Sequence, residues 1–187
     1  MKKKVITALL TSGLLVTSLL PMSVQASNQT AVSSQVQSLS ESQIRQKIIN
    51  AGKKYLGTPY VYGSSRANPK TLDSSELVIW AYKDGAGIKL PPSGRTIGPW
   101  LKKVGTVTTD WRKLKPGDIM LLMSYRGYKA SNYKGINKAK QPITHSGIYL
   151  GNGKILHTYS QQAGGVRIDS IIGKHWECRF LYGGSPF

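Results

Sequence analysis

The sequence has 187 residues and a formal net charge of +18, from 26 basic and 8 acidic residues. Its one cysteine, Cys178, excludes an intramolecular disulfide, and its length allows one domain with a hydrophobic core but not two of ordinary size. A charge of this size favours polyanionic partners, although a basic surface that only keeps the protein soluble is an equally open interpretation.

The first 26 residues are typical of a secretory signal peptide. Lysines at positions 2–4 precede an uncharged stretch from Val5 to Leu20, and Val24 and Ala26 place the cleavage after residue 26. A membrane span is the alternative, but threonine and serine interrupt this stretch, which is shorter than the roughly 20 residues that a bilayer requires. We therefore expect a secreted or cell-wall-associated protein with no stable membrane insertion after signal removal. Losing the three lysines would lower the charge from +18 to +15.

Residues 27–40 predict a flexible lead-in, because they are rich in serine and glutamine and carry no charge. The pattern changes at residue 41, where the domain that we expect over 41–187 begins. Ser40 is placed as a cap, and Ile44, Ile48 and Ile49 recur at helical spacing before Gly57. These features predict the first core helix.

A second helix is predicted in LDSSELVIWAYKDG, after a short extended segment from Thr58 to Gly63. Asp73 is expected to be its N-cap, Glu76 its capping-box partner and Gly85 the residue just beyond its end. The stretch from Leu90 to Pro99, rich in proline and glycine, is predicted to be a connection.

The second half of the sequence is predicted to form strands. LKPGDIMLLM indicates a turn followed by a strand from Ile119 to Met123, and ITHSGIYLGNGKILHTYS indicates a hairpin. GGVRIDSI and CRFLYG indicate later strands. Helices followed by antiparallel strands predict an α+β fold.

Two histidines flank the hairpin turn, and the length of that turn decides whether they meet. Side chains alternate between faces along a strand, so His145 and His157 share a face only if an odd number of residues separates the strands. A three-residue turn, Gly151-Asn152-Gly153, would pair Gly147 with His157 and set His145 one diagonal step away, at about 7–8 Å. A two-residue turn would send the imidazoles to opposite faces. The parity argument supports a histidine pair under the three-residue turn, so the length of the turn is decisive.

Three stretches in this order, LDSSELVIWAY, LKPGDIMLLM and THSGIYLGNGKILHTYS, preceded by PYVYG, resemble the NlpC family of papain-like bacterial cell-wall endopeptidases. The resemblance covers residues 42–182. It implies a papain-like NlpC-type domain in which N-terminal helices pack on an antiparallel β-sheet. The family's D-C-S-G motif places a catalytic cysteine at a helix N-terminus, whereas this sequence has D-S-S-E.

The resemblance also implies roles for individual residues. By position, Ser74 takes the place of the nucleophile, His145 that of the base and His157 that of the residue that orients the base. Tyr62 matches the aromatic residue that lines the substrate groove. Two neighbours in the motif, Asp73 and Ser75, are expected to contribute to substrate binding.

The serine changes the chemistry that this site can perform. A cysteine thiol is armed by ionisation, but a serine hydroxyl needs a base that removes its proton during attack. Glu76, in the first helical turn, would also offset the positive end of the helix dipole near Ser74. Whether the protein is an enzyme is therefore an open question for the sequence.

Three functions remain open. The first is hydrolysis of the γ-D-glutamyl to diamino acid bond in peptidoglycan stem peptides, which the resemblance implies. The second is a non-catalytic pseudoenzyme that binds wall peptide or an anionic wall polymer, and an acyl-transferring relative or secreted toxin on the same fold is a third alternative. Nucleic acid is not an expected partner of an exported protein, and the three histidines and one cysteine have no ligand spacing, so no metal or other cofactor is expected.

The segment from Ser124 to Pro142 is long for a connection between strands. It has five basic and no acidic residues, with three interleaved tyrosines. This composition favours a contact surface for an anionic wall polymer, and a solvated flexible loop is the alternative.

Overall fold

The computed structural model describes residues 41–187. The predicted signal peptide and lead-in lie outside the described residues and stay predictions. Four α-helices are described: α1 over residues 41–53, α2 Ser74–Ala86, α3 Gly94–Val104 and the short α4 His175–Arg179. Within residues 41–187, no helix is both long and apolar enough to cross a bilayer.

Six antiparallel strands form one sheet in the order β1-β6-β2-β3-β4-β5. Together with the helices they confirm the predicted α+β fold. The strands are β1 Thr106–Thr108, β2 Ile119–Leu122, β3 His145–Gly151, β4 Lys154–His157, β5 Arg167–Ser170 and β6 Phe180–Ser185.

The end of α2 differs from the prediction, because the helix continues through Gly85 and stops at Gly87, which has a left-handed φ of 67°. Gly85 has a packing role instead. A Cβ atom there would lie 2.5 Å from the Cα of Ile48, so the missing side chain lets α2 approach α1 closely.

Helix α3 was not predicted, and the connection expected from Leu90 to Pro99 is wrong from residue 94 onward. A capping box starts the helix: the Ser93 side chain accepts from the Thr96 backbone, and the Thr96 side chain accepts from the Ser93 backbone. Ile97 and Leu101, four residues apart, are buried against the main core. The glycine and proline content hid this short amphipathic pattern, and tertiary packing outweighs the low helix propensity.

The central strands are buried on both faces of the sheet. In β2, Ile119 and Leu121 pack in the larger cluster with the helices, whereas Met120 and Leu122 pack in a second cluster on the other face. The second cluster also contains Trp176 from α4. Hence the sheet is the middle layer, and side chains of odd and even positions enter different cores.

A buried ion pair connects the first helix to the start of β2. Arg45 Nη1 donates to Asp118 Oδ1 at 2.6 Å, and Arg45 Nη2 donates to Ser185 Oγ at 2.7 Å. The second oxygen of Asp118 accepts from the Lys115 backbone at 2.9 Å, which closes the turn at Pro116. The Pro-Gly-Asp sequence therefore serves a structural purpose, since it joins α1, β2 and β6.

We predict that Asp118→Asn lowers the free energy of unfolding by about 3 kcal/mol, because the buried Arg45 guanidinium then has only the partly exposed Glu41 carboxylate as a counter-ion. Urea denaturation measures the change. The control is Lys115→Met, which removes an exposed pair with Glu41 at 3.3 Å and should cost less than about 1 kcal/mol. Equal losses of unfolding free energy in the two variants would contradict this account of the Arg45–Asp118 ion pair.

Candidate active site

The cavity at one end of the sheet has a volume of about 1010 Å³. Five of the six residues singled out from the sequence line it, and they are Tyr62, Asp73, Ser74, Ser75 and His145. The sixth, His157, lies fully buried behind His145. The structure therefore gathers these residues around one space, and their roles stay predictions.

Ser74 is the first residue of α2, and Asp73 caps the helix as predicted. The Oδ1 atom of Asp73 accepts from the backbone N–H groups of Ser75 and Glu76 at 2.9 and 2.8 Å, and from the Ser75 hydroxyl at 2.7 Å. Among the described residues, the Ser74 N–H has no acceptor. This arrangement leaves one free backbone donor beside the Ser74 hydroxyl.

The loop before α2 is tied to the same helix end. Arg66 Nη2 donates to Ser75 Oγ at 3.3 Å and lies 3.6 Å from Asp73 Oδ2. Tyr62, in contrast, is 86% exposed and stands at the cavity rim. The loop thus exposes the aromatic side chain of Tyr62 to solvent, while Arg66 attaches the loop to the start of α2 through polar contacts.

Glu76 does not complete the predicted capping box. Its side chain is fully buried, and its Oε2 accepts a hydrogen bond from the hydroxyl of Ser64 in the preceding loop. The other oxygen, Oε1, has no hydrogen-bond partner among the described residues. The carboxylate therefore holds the loop against α2 in place of the backbone contact expected from the sequence.

The hairpin brings the two histidines together, although not through the three-residue turn that the parity argument required. Gly151 pairs with Lys154, so the turn is the two residues Asn152-Gly153, both with positive φ. A bulge between Tyr149 and Gly151 shifts the register by one residue, and Tyr149 pairs with Ile155. The bulge restores the parity that the shorter turn would have lost.

His145 Nε2 lies 3.0 Å from His157 Nδ1, which confirms the predicted pairing of the imidazoles. His157 Nε2 lies 3.1 Å from Asp169 Oδ2, and Asp169 Oδ1 accepts from Arg167 Nε at 2.8 Å. The hydrogen bond from His157, together with the nearby Arg167, lowers the pKa of the Asp169 carboxyl. The result is a chain of contacts from a carboxylate through two imidazoles to the cavity.

The ionised end of this chain sets the tautomers of both rings. Because the Asp169 carboxylate only accepts, His157 donates through Nε2 and, when neutral, accepts through Nδ1. His145 therefore donates through Nε2, which leaves its Nδ1 without a proton. A cavity residue with an unprotonated ring nitrogen can accept a proton from a neighbouring group.

Burial keeps both imidazoles neutral. His145 is 5% exposed, and desolvation, followed by the repulsion that a second positive charge at His157 would exert, holds the pKa of His145 well below the usual value. The pKa of His157 is also lowered, chiefly by burial, although the hydrogen bond to Asp169 opposes this shift. Trp176 covers the pair, with its ring centroid 4.6 Å from that of His157 and 5.4 Å from that of His145.

Several cavity residues were missed in the sequence. The cavity is also lined by Tyr159, Asp169, His175, Trp176 and Arg179. For Asp169 a signal existed: Arg167 pairs with His157, so the alternation in RIDS puts Asp169 on the histidine face. Using that signal requires the pairing of β4 with β5, which the sequence does not state.

In a comparison with known protein families, residues 57–184 match the NlpC/P60 family. A "Gamma-DL-glutamyl hydrolase" of Bacillus subtilis is 27% identical over 132 residues, which are 71% of this chain and 27% of the relative. A "Probable endopeptidase p60" of Listeria monocytogenes is 31% identical over 129 residues, covering 69% and 21%. The chain thus spans about a fifth to a third of the length of these relatives.

Solved structures show the same fold. An NlpC/P60 family protein from Bacillus cereus superposes with a TM-score of 0.58 at 20% identity, over 75% of this chain and 39% of that one. The NlpC/p60 domain of the peptidoglycan hydrolase SagA has a TM-score of 0.54 at 23% identity, and the match covers 75% of this chain and 97% of the domain.

The buried histidines predict that the protein loses stability between pH 7 and pH 5. Their pKa values are lowered from 6.5 in the folded state, so below about pH 6.5 the unfolded chain binds protons that the folded chain does not. The loss should reach up to about 2 kcal/mol at pH 5 for each histidine that stays neutral. Urea midpoints measured across this range test it.

The pH window separates the histidines from the carboxylates, which titrate mainly below about pH 4.5. The variant His157→Gln should show a shallower decline between pH 7 and pH 5 than the wild type. Stability that stays constant or increases toward pH 5 in the wild type would contradict the neutral state of the pair.

Proposed function

Because the chain belongs to the NlpC/P60 family, we propose that it is an exported, wall-associated hydrolase that cleaves the γ-D-glutamyl to diamino acid bond of peptidoglycan stem peptides. The observation that carries this proposal is the chain from Asp169 through His157 to His145, which supplies a neutral base at the cavity that contains Ser74. A serine nucleophile depends on such a base more than a cysteine does.

In the proposed reaction, Ser74 Oγ attacks the scissile carbonyl carbon while His145 Nδ1 takes the hydroxyl proton. The Ser74 N–H donates to the developing oxyanion. Collapse of the tetrahedral intermediate breaks the C–N bond, and His145 returns the proton to the leaving amine. Water then hydrolyses the acyl-enzyme by the same steps in reverse, with the Asp169 carboxylate stabilising the positive charge on the histidine pair through His157.

The substrate groove is proposed to lie along the rim of the cavity. Tyr62, largely exposed there, is the side chain that would contact the stem peptide. Asp73 and Ser75 are joined to each other and to Arg66. We assign these two residues a binding role through that polar wall, which holds the loop of Tyr62 in place.

The names of relatives support peptidoglycan as the substrate and differ on the bond. One is a "Bifunctional muramidase/DL-endopeptidase", 28% identical over 130 residues, and another from Escherichia coli is a "Murein DD-endopeptidase", 25% identical over 134 residues. The γ-D-glutamyl bond in the proposal follows the name "Gamma-DL-glutamyl hydrolase" and the family resemblance of the sequence.

A second candidate is a binding module without catalysis, and the serine itself favours it. By the resemblance of the sequence, Ser74 takes the position of the family's cysteine, and the fully buried Glu76 carboxylate lies two residues along the same helix. A negative charge at this helix end opposes the oxyanion that the reaction must form. This candidate retains the cavity and its affinity for wall peptide but does not turn over substrate.

Three proteins separate the two candidates: wild type, Ser74→Ala and Ser74→Cys, each incubated with purified stem peptides and followed by mass spectrometry of the products. If Ser74 is the nucleophile, the wild type cleaves and Ser74→Ala loses at least about 10³-fold in kcat. Ser74→Cys then gains little, because the site is built around the oxygen.

Residual cleavage in Ser74→Ala equal to that of the wild type would overturn the nucleophile assignment. Cleavage by Ser74→Cys alone would show a site that retains the base but has lost its nucleophile. If all three proteins bind the peptides and none cleaves them, the binding module stands.

We also propose that the basic segment from Ser124 to Pro142 contacts anionic wall polymers. The buried side chain of Tyr133 holds this segment in place. Its hydroxyl accepts a hydrogen bond from the Arg126 N–H at 2.9 Å and donates one to the Gly127 carbonyl at 3.0 Å. Its basic residues are all exposed, with no carboxylate within 4 Å among the described residues; they are Arg126, Lys129, Lys134, Lys138 and Lys140.

Binding to whole cell walls should therefore weaken with salt and on removal of wall anionic polymer, because charges are screened over about 8–10 Å at physiological ionic strength. The triple variant Lys134→Gln, Lys138→Gln, Lys140→Gln should elute at lower salt than the wild type. Its matched control makes the same charge change at the exposed Lys53, Lys54 and Lys70. Retention that is unchanged up to about 0.5 M salt, or equal shifts in the two triple variants, would contradict the proposal.

A further inference from the structure

Two arginines are almost completely buried, and only one of them is neutralised. Arg45 is 8% exposed and contacts the carboxylates of Asp118 and Glu41 at 2.6 and 2.9 Å. Arg179 is 6% exposed, and no carboxylate lies within 4 Å of it among the described residues. A buried cation without a counter-ion is costly, so its presence calls for an explanation.

The guanidinium of Arg179 is held in a defined position. Its Nε donates to the Met123 carbonyl at 2.8 Å, and its Cζ lies 4.8 Å from the Trp176 ring centroid and 5.9 Å from that of Tyr125. Burial lowers the pKa of Arg179 to about 10, which leaves it charged at neutral pH. Since Nε is occupied, the two Nη groups provide the free donors.

Arg179 lines the same cavity as Ser74 and His145. Two other cations line it without a carboxylate within 4 Å among the described residues, Arg95 and Lys174, and both are exposed. The cavity carboxylates, Asp73 and Asp169, are already paired with Arg66 and Arg167. The cavity therefore has an excess of positive charge, and its most buried cation is Arg179.

We propose that Arg179 is a binding residue for a carboxylate of the ligand, which its two Nη groups hold in the cavity beside the histidine pair. A planar guanidinium with two parallel N–H donors matches a carboxylate better than it matches a neutral carbonyl or an amide. The stacked aromatic rings and the Met123 carbonyl fix its plane before the ligand arrives, which reduces the entropy lost on binding.

This inference rests on the proposed function for the identity of the ligand. A peptide joined through the side-chain carboxyl of D-glutamate retains that residue's α-carboxylate, close to the scissile bond. The carboxylate at the C-terminus of a short stem peptide is the other source of the same chemistry. Both are oxygen anions that the Nη groups of Arg179 can bind, and the proposal concerns this shared group.

Binding of a carboxylate would also act on the base. The charge of Arg179 contributes to the lowered pKa of both His145 and His157. A bound anion offsets that charge and raises the pKa of the pair, so the histidines become stronger bases only when the ligand is present. This response gives the experiment a readout that does not depend on turnover.

The test uses full-length protein with the Ser74→Ala change, which prevents cleavage, and three synthetic peptides of L-alanine, γ-linked D-glutamate and L-lysine. The first has only the glutamyl α-carboxylate, the second only the C-terminal carboxylate, and in the third both are carboxamides. Calorimetry measures their dissociation constants in proteins with Arg179, Arg179→Gln or Arg179→Lys. Arg95→Gln is the control, since it removes an exposed cation from the same cavity.

At least one carboxylate peptide should bind about tenfold or more tightly than the double amide, because charge-assisted hydrogen bonds are stronger than neutral ones. Arg179→Gln should remove this preference, Arg179→Lys should restore part of it, and Arg95→Gln should leave it in place. The preferred peptide identifies the source of the carboxylate. Histidine resonances followed by NMR should show a raised imidazole pKa with that peptide alone.

Equal affinity of the Ser74→Ala protein with Arg179 intact for all three peptides would overturn the inference, and this comparison needs no variant at Arg179. A loss of the same size for all three peptides in Arg179→Gln, or no binding up to about 10 mM, would overturn it as well. The cleavage experiment on Ser74 is separate: an inactive protein that prefers the carboxylate peptides would refute the hydrolase and leave the carboxylate site standing.

Discussion

The one-residue bulge between Tyr149 and Gly151 is the constraint on which the candidate site depends. A two-residue turn alone would place His145 and His157 on opposite faces of the sheet, because side chains alternate along each strand. The bulge adds the single residue that returns both imidazoles to one face. The 3.0 Å contact between them, and the cavity wall that they form, follow from this local irregularity.

The charged side chains near the histidine pair are not all paired with an opposite charge, whereas the buried charges between α1 and β2 are. In the ion pair between α1 and the start of β2, Arg45 and Asp118 neutralise each other, so removing either charge would destabilise the fold. Near the cavity, Asp169 supports the histidines from behind while Arg179 has no carboxylate in contact among residues 41–187. Uncompensated charge in a buried position costs free energy in the empty protein and becomes favourable when a complementary ligand binds.

The serine at position 74 stands in an environment that contains both favourable and unfavourable features for catalysis. The Ser74 N–H, which has no acceptor among residues 41–187, and the unprotonated nitrogen of His145 suit a hydroxyl nucleophile. The buried carboxylate of Glu76 opposes negative charge at the same helix end, yet its bond to Ser64 holds the loop that presents Tyr62. Glu76 therefore helps to order the groove, but it makes the electrostatic potential near Ser74 less favourable for an oxyanion.

The sequence by itself determined the α+β class, the N-cap at Asp73 and the hairpin, because local propensity and capping operate over a few residues. It did not determine α3, the continuation of α2 through Gly85, or the bulge. Those features arise from packing against Ile48 and Ile143 and from strand register, which involve residues distant in the chain. Asp169 and Arg179 lie at the cavity for the same reason, since only the tertiary structure brings β5 and α4 beside the histidines. That Arg179 is buried in the cavity wall with no carboxylate in contact among residues 41–187 is likewise decided by the tertiary structure.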